Sequence, residues 1–462
     1  MRHHLPHRTH AALVRFFAGL RRRRRGEVAV GHHNSNHILP VGRPLAFLLD
    51  LESGRVRAKF RVPSDTVEVL PRHWREPEVL SAVCARLDGV PRCLADLGQW
   101  SVHEYVVGTV LAEETPKGPV GPVRAAELAA FFARLAAVPA DALPPRPADW
   151  PASGDSQGFL ERLARFTEER VHRRNRERFG ELFDALGIPD DLMRRFLRSV
   201  PHLTGRPFVL LHTDVHRANV VVTRTPDGER LSVLDWELSL YGDPLHDLAT
   251  HLVRMAYDDD ERARVTDLWA EAMERAGHTP LIAGLDPDLT AYLRFEYVQS
   301  VFPDVMRPAV DLPRAALTED YARAAERIGD ALRRAGTALD GALEPVGGAD
   351  VVRALRRWHA ADTARRPGGG PGGDPRTAPR WWSGARGSRG DADRPEGLPA
   401  RSAPLRGPAA GPGPAPQSSA APEPLPAPGP SPRDAARRGV VGGDAADGPE
   451  PARKGRLEPH GC

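Results

Sequence analysis

The chain has 462 residues, with 64 Lys+Arg against 61 Asp+Glu and a formal net charge of +3 at pH 7. That length holds two or three domains, and so even a charge balance gives no global signature of a nucleic-acid partner. No run of about 18 apolar residues is present, so no membrane insertion is expected. Three cysteines, Cys84, Cys93 and Cys462, without a Cys-x-x-Cys or Cys/His cluster, fit a reducing cytoplasm and buried, inert thiols.

Residues 1–29 read as a basic, poorly ordered N-terminal segment. In it the apolar stretch ALVRFFAGL precedes the run Arg21–Arg25, the reverse of the order in a secretory signal. Residues 30–108 alternate β-type runs with turn signals. Gly31–Asn36 (GHHNSN) is a turn whose Gly and Asn residues tolerate tight backbone and could cover phosphates. Ala46–Asp50 predicts a strand, Glu52–Gly54 a turn and Val56–Val62 a second strand. Glu76–Leu87 has helical spacing, with Val79, Leu80, Val83 and Leu87 on one face, and Val90-Pro91 closes it. Trp100–Val107 predicts a third strand, ending at Gly108. Together these make a small β-rich lobe with one helix packed on it.

Residues 109–361 read as mostly helical. Val123–Val138 is an amphipathic helix and Pro139–Pro151 a Pro-rich connector. Gln157–Leu186 and Asp191–Val200 are helical, the second with Asp190 as N-cap. Two short strands flank a hairpin at Pro226–Gly228, and helices follow over Pro244–Tyr257, Asp260–Ala276, Asp288–Val301 and Leu312–Leu343. Residues 362–462, rich in Pro, Gly, Ala and Arg, bury too little apolar surface to offset ordering entropy and predict a disordered tail. The fold class is α+β: a bilobal chain with a β-rich N-lobe, a helical C-lobe and a cleft between them.

The chemistry concentrates in Leu210–His251, LLHTDVHRANVVV and LSVLDWELSLYGDPLHDLATH. Asp214 stands five residues before Asn219, and Asp235-Trp-Glu237 begins sixteen residues after it. An acid, then an amide, then a second acid beyond a hairpin is the spacing of a phosphoryl-transfer site. Asp214 is the candidate base and His212 packs and orients its loop. Asn219 and Asp235 are candidate magnesium ligands, with Glu237 near a second ion or an ordered water. Only three of the 64 Lys+Arg are lysines, so a lysine in mid-strand stands out; Lys59 is the candidate phosphate-binding lysine, with Glu76, or Glu78, as its partner. His103–Val106 ends a strand where backbone meets the adenine edge in a bilobal kinase. Asp247 is expected to cap its helix and hold backbone near Asp214. Glu296 and Asp304, with Asp258–Glu261, form a candidate acidic pocket for a polycationic substrate. Two other readings stay open: a metal-dependent phosphohydrolase built on His212, Asp214, His216 and His246-Asp247, and a nucleotide-binding pseudokinase.

Over Gly31–Arg357 these residues resemble the aminoglycoside phosphotransferase and choline kinase-like small-molecule kinases, most specifically at LLHTDVHRANVVV and VLDWELSLYGDPLHDLATHL. The resemblance implies a protein-kinase-like fold using ATP and Mg²⁺. It implies Asp214 as base, Asn219 and Asp235 on metal, Lys59 and Glu76 as the phosphate pair, and Glu104, Tyr105 and Val106 as the nucleotide hinge. The motif here is HTD where HGD is usual in the drug-modifying members, DWE stands where protein kinases have DFG, and no APE element follows, which argues against a protein substrate. The expectation is a cytoplasmic ATP-dependent O-phosphotransferase acting on a small-molecule hydroxyl, with an aminoglycoside-like amino sugar, and hence antibiotic resistance, as the acceptor reading.

Overall fold

The computed structural model describes residues 27–30, 34–48, 51, 54–61, 69–96, 98 and 100–365. The arginine run 21–25, residues 31–33 of the Gly/Asn turn and the chain beyond 365 lie outside the described residues.

Five antiparallel strands form the first sheet: β1 (Glu27–Val30), β2 (Asn34–Pro40), β3 (Arg55–Arg61), β4 (Cys93–Asp96) and β5 (Trp100–Glu104), in the order β1-β2-β3-β5-β4. β1 begins inside the segment expected to lack order. The register sets Lys59 opposite Asn36 on one side and Ser101 on the other. Leu39, Val41, Val56, Ala95 and Val102 make a small core under this sheet. The strand expected at Ala46–Asp50 is instead a helix, α1 (Arg43–Leu48), in which Phe47 is 90% exposed. The reason is local. Pro44 sits in the first helical turn, where its fixed φ and missing N–H cost nothing, and Leu and Ala that follow are good helix formers.

α2 (Glu76–Val83) starts with Pro77 in its first turn and with the Glu78 carboxylate accepting from the Arg75 N–H at 2.9 Å. Its buried Val79, Leu80 and Val83 belong to the main core of the molecule, not to the small core under the sheet. The helix therefore ties the strands to the rest of the chain. β5 stops at Glu104, short of the predicted Val107, and residues 105–108 lead into β6 (Thr109–Val110). A Cβ on Gly108 would lie 2.4 Å from the Val222 carbonyl oxygen, so only glycine allows the crossing here.

The helical part runs through α3 (Leu111–Glu114), α4 (Pro122–Ala136), α5 (Ser156–Phe166), a π-helical turn over Thr167–Arg173, α6 (Arg174–Ala185) and α7 (Leu192–Ser199). α7 is preceded by Asp191, not capped by Asp190, whose carboxylate pairs with Arg176 instead. Two small sheets follow: β7 (Val209–Leu211) pairs with β10 (Leu240–Gly242), and β8 (Val220–Thr225) with β9 (Gly228–Val233) and β6. The last helices are α8 (Pro244–Arg254), α9 (Asp259–Arg275), α10 (Leu285–Val310), α11 (Thr318–Ala338) and α12 (Gly348–Arg365). α10 continues past Val301 through Pro303 and Pro308, because Val305 and Met306 between the prolines and Ala309 after them are buried. Burial there outweighs the lost backbone hydrogen bonds. α12 carries on through residues 362–365, expected in the tail, and Asp362 there holds Arg178 with two bonds of 2.9 and 3.0 Å. The result is an α+β, bilobal, protein-kinase-like fold. No helix among the described residues is long and apolar enough to cross a membrane.

Candidate active site

The buried strand β7 delivers the chain to His212, and α8 receives it. Asp247 accepts the backbone N–H groups of His212 at 2.8 Å and Thr213 at 2.7 Å. Burial pushes the Asp247 carboxyl up to about 7, while those two N–H groups favour its charged form. Asp247 thus holds the loop as expected but does not cap its helix; Asp243 does, accepting from Leu245 N–H at 3.0 Å. Thr213 takes a φ of +60°, a conformation that favours glycine. Its hydroxyl is buried and donates to the Leu238 carbonyl at 2.7 Å. Thr213 therefore occupies a backbone position suited to glycine, held there by the hydroxyl bond and by its N–H bond to Asp247.

His212 is fully buried, and its Nδ1 accepts the Asp214 N–H at 3.2 Å. Its ring meets the Trp236 ring edge-on at 4.7 Å. Burial lowers its pKa to about 4, so the imidazole is neutral and serves as an acceptor that shapes the turn.

Asp214 is the centre of the site. Asn219 Nδ2 donates to its Oδ2 at 2.9 Å and to its backbone carbonyl at 3.0 Å. His216 Nε2 stands 3.4 Å from its Oδ1, and Arg254 at the end of α8 pairs with the same oxygen. Burial alone would raise this carboxyl; the Arg254 guanidinium and the hydrogen bond from His216 hold it well below the usual carboxylate range. The Leu234 N–H donates to the Asn219 carbonyl at 2.8 Å, and Val220 pairs with Val233, so the hairpin brings Asn219 and Asp235 to one end. Asp235 has a φ of +67°, the second non-glycine residue near Asp214 in this strained region.

Glu76 joins the two parts of the chain. Its Oε1 accepts the Trp236 N–H at 3.1 Å, next to Asp235, and its Oε2 lies 3.9 Å from His103 Nε2, which bonds Ser101 Oγ at 2.7 Å. Ser101 is the strand partner of Lys59, whose side chain lies outside the described residues. Glu237 faces Arg72 at 3.4 Å. At the strand end, Glu104 is held by Arg92 with bonds of 2.9 and 3.1 Å. Tyr105 lies under Arg55, 5.8 Å from its ring centre. Val106 is half-buried beside Val107, whose carbonyl accepts from Thr223 at 2.5 Å.

Acids of the expected pocket meet partners within the fold. Glu296 is 2% exposed, pressed against His246 at 3.4 Å and Gln299 at 3.2 Å, and burial raises its pKa. Glu261 is buried and accepts the Val120 N–H, Asp258 caps α9, and Asp304 faces Arg334 at 3.6 Å. The histidines have separate surroundings: His246 packs among Phe159, Tyr292 and Phe295, whereas the His212 ring packs on Trp236. Among the described residues no group of three or more His, Cys, Asp or Glu side chains is arranged to hold a metal ion.

A family model, "APH: Phosphotransferase enzyme family", matches residues 7–286. The chain belongs to this family. It is a small-molecule phosphotransferase of the aminoglycoside phosphotransferase and choline kinase group. No curated protein matches the chain. Solved structures similar to this phosphotransferase include three kinases. The Plasmodium vivax ethanolamine kinase is 13% identical, with 68% of this chain and 81% of that chain covered and a TM-score of 0.44. A choline/ethanolamine kinase family protein of Mesorhizobium loti is 17% identical, with 76% and 98% covered and a TM-score of 0.38. The choline kinase LicA of Streptococcus pneumoniae is 14% identical, with 71% and 99% covered and a TM-score of 0.39.

Sequence reasoning about the phosphotransferase missed Arg254 and left the second histidine of HTDVH to a metal site. Arg254 lies seven residues after Asp247 on one helix face, a spacing that was open to inspection. In a chain so rich in arginine, however, one more arginine carried no signal.

Proposed function

We propose that this phosphotransferase moves the terminal phosphoryl group of ATP to a hydroxyl of a small molecule, with Asp214 as the base. The observation that carries the reading is the bonded chain Asp214–Asn219–Leu234, which sets the carboxylate, the amide and Asp235 at one hairpin end. Asn219 uses its amide nitrogen on Asp214, which turns its amide oxygen away from the base. That oxygen and the Asp235 carboxylate are hard donors that fit Mg²⁺. Bound Mg²⁺ would neutralise charge on the phosphates.

The residues of the chain do the rest. Asp214, kept ionised, orients the acceptor hydroxyl and takes its proton as the bond to phosphorus forms. Glu76 fixes the backbone beside Asp235. Lys59 on β3 is the expected phosphate ligand, and Glu104, Tyr105 and Val106 the expected adenine edge. A cytoplasmic location, where ATP is supplied, belongs to the same reading. The amino-sugar acceptor implied by the resemblance, and with it a resistance role, needs accessible carboxylates; the burial of Glu296 and Glu261 does not favour it.

The test is ATP consumption by the full-length protein with Mg²⁺ over a panel of hydroxyl acceptors, with ³¹P NMR of the product. A phosphorylated alcohol supports the reading. Hydrolysis of phosphate esters without ATP, dependent on a tightly held transition metal, would replace it with the phosphohydrolase.

A further inference from the structure

The two faces of β3 differ in character. Residues directly paired across an antiparallel sheet lie on one face, and successive residues alternate between faces. Val56 pairs with Leu39, Ala95 pairs with Val102, and all four belong to the small core on one side of the sheet. Positions 57 and 59 fall on the other side, opposite His103 and Ser101 of β5. That side is the one turned toward the site. His103 is fully buried with its Nε2 3.9 Å from Glu76, and Glu76 accepts the Trp236 N–H beside Asp235 at 3.1 Å.

Arg57 is partly buried, and both its Nε and its Nη2 are buried without a hydrogen-bond partner among the described residues. These two atoms make up one edge of the guanidinium, with two parallel N–H groups that match two oxygens of a phosphate or carboxylate. Leaving both donors unmade is costly unless a ligand completes them. The cross-strand partners of Arg57 are Ile38 and His103, and the positions two residues before and after it on the same face are Arg55 and Lys59. None of the four offers a carboxylate. Two residues of strand span about 7 Å. Arg57 is therefore displaced by about that distance from Lys59 toward the strand end at Glu104, where the adenine edge is expected. A nucleotide laid from that edge toward Asp235 passes Arg57 before it reaches Lys59.

We propose that Arg57 binds the phosphate next to the ribose of the nucleotide through its Nε–Nη2 edge, while Lys59 takes the phosphates beyond it. This rests on the phosphoryl-transfer reading above. The division suits the two side chains, since arginine offers a fixed fork and lysine a point charge that can follow a moving group. The nucleotide then completes two buried donors that the free protein leaves open, so its first phosphate is held before the others are placed.

Binding of adenosine, AMP and Mg²⁺–ATP to the full-length protein is measured by calorimetry for wild type, R57M and R57K, with the melting temperature of each free protein. Wild type is expected to bind AMP about tenfold or more tighter than adenosine, and R57M to lose that gain while its affinity for adenosine stays within about twofold. R57K keeps the charge without the fork and is expected to fall between them. Free R57M is expected to melt no lower than wild type, because the group removed has two buried donors without partners. An AMP preference that survives in R57M overturns the proposal. So does adenosine weakened as much as AMP, which places Arg57 on the base. A free R57M that melts well below wild type, or does not fold, also overturns it and marks a structural arginine. If wild type binds ATP alone, loss of ATP affinity in R57M by about tenfold supports the proposal, and unchanged affinity overturns it. A wild-type protein that binds none of the three would sink the phosphoryl-transfer reading and this inference together, a signature distinct from the others.

Discussion

Arg254, the last residue of α8, is ion-paired through Nη1 to Oδ1 of Asp214, the same oxygen that faces His216. The pair sets the protonation of the base. Burial favours the neutral acid, and the arginine wins against it. The folded carboxyl lies below its ordinary 3.8, so it is ionised at every pH above that value. Replacing Arg254 by Met removes the opposing charge and leaves burial, so the Asp214 pKa rises. Because only the carboxylate accepts a proton, the acid limb of kcat/KM moves to higher pH. A pH profile from about 4 to 8, with circular dichroism to verify folding, checks this. An unmoved limb in R254M would remove Arg254 from the account.

Thr213 holds a glycine-like φ by means of two buried hydrogen bonds. T213A keeps the strained φ and loses the hydroxyl bond to Leu238, a cost of about 2 kcal/mol. T213G loses the same bond but relieves the strain, so it is expected to cost about 1 kcal/mol less than T213A. Denaturant unfolding of the two variants gives the comparison. Equal stabilities would mean that the strain at this position is small.

Glu76 carries two separable functions, a bond to the Trp236 N–H and a charge facing His103. E76A leaves a buried N–H without its acceptor and loosens the backbone beside Asp235. A fall in kcat/KM for Mg²⁺–ATP of about tenfold is expected, equivalent to one lost buried hydrogen bond. E76Q keeps an oxygen acceptor and is expected to recover most of that loss. If E76Q is as damaged as E76A, the charge matters and the bond to Trp236 does not, as a pairing with Lys59 would require.

α12 is anchored on α6 by three contacts: Trp358 Nε1 donates to the Arg178 carbonyl at 2.9 Å, its ring stacks on Phe179 at 5.1 Å, and Asp362 holds Arg178. W358A is expected to cost about 3 to 5 kcal/mol, as for other buried large-to-small changes. D362A, at a partly exposed pair, is expected to cost about 1 kcal/mol. A chain ending at 347 should melt well below one ending at 365, and equal melting temperatures would show that the helix is dispensable.

What the sequence made legible was set by local pattern. The hairpin at Pro226–Gly228 needs only two apolar runs and a turn, and the order of Asp214, Asn219 and Asp235 is a matter of spacing along the chain. What it concealed depended on tertiary context. Residues Ala46–Asp50 carry an apolar run that suits a strand, but Pro44 starts a helix there. Pro303 reads as a stop, yet burial beyond it keeps α10 intact. Glu296 reads as a surface acid near a substrate, and only the packing of α8 on α10 shows it buried against His246. The partner of Asp214 was hidden because 32 residues of loop, hairpin and strand, 212–243, separate β7 from the start of α8, and no pattern within them points to Arg254.

The central claim is that Asp214 is the base of an ATP-dependent transfer. The most direct measurement is turnover of D214N beside the wild-type protein, with the best acceptor of the panel and with ATP affinity determined for both. The account predicts ATP binding within about twofold of wild type and transfer reduced by at least 10²-fold, since a positioned base contributes on that order. Near-normal transfer by D214N would contradict it, and would return Asp214 to a polar residue that only shapes its loop.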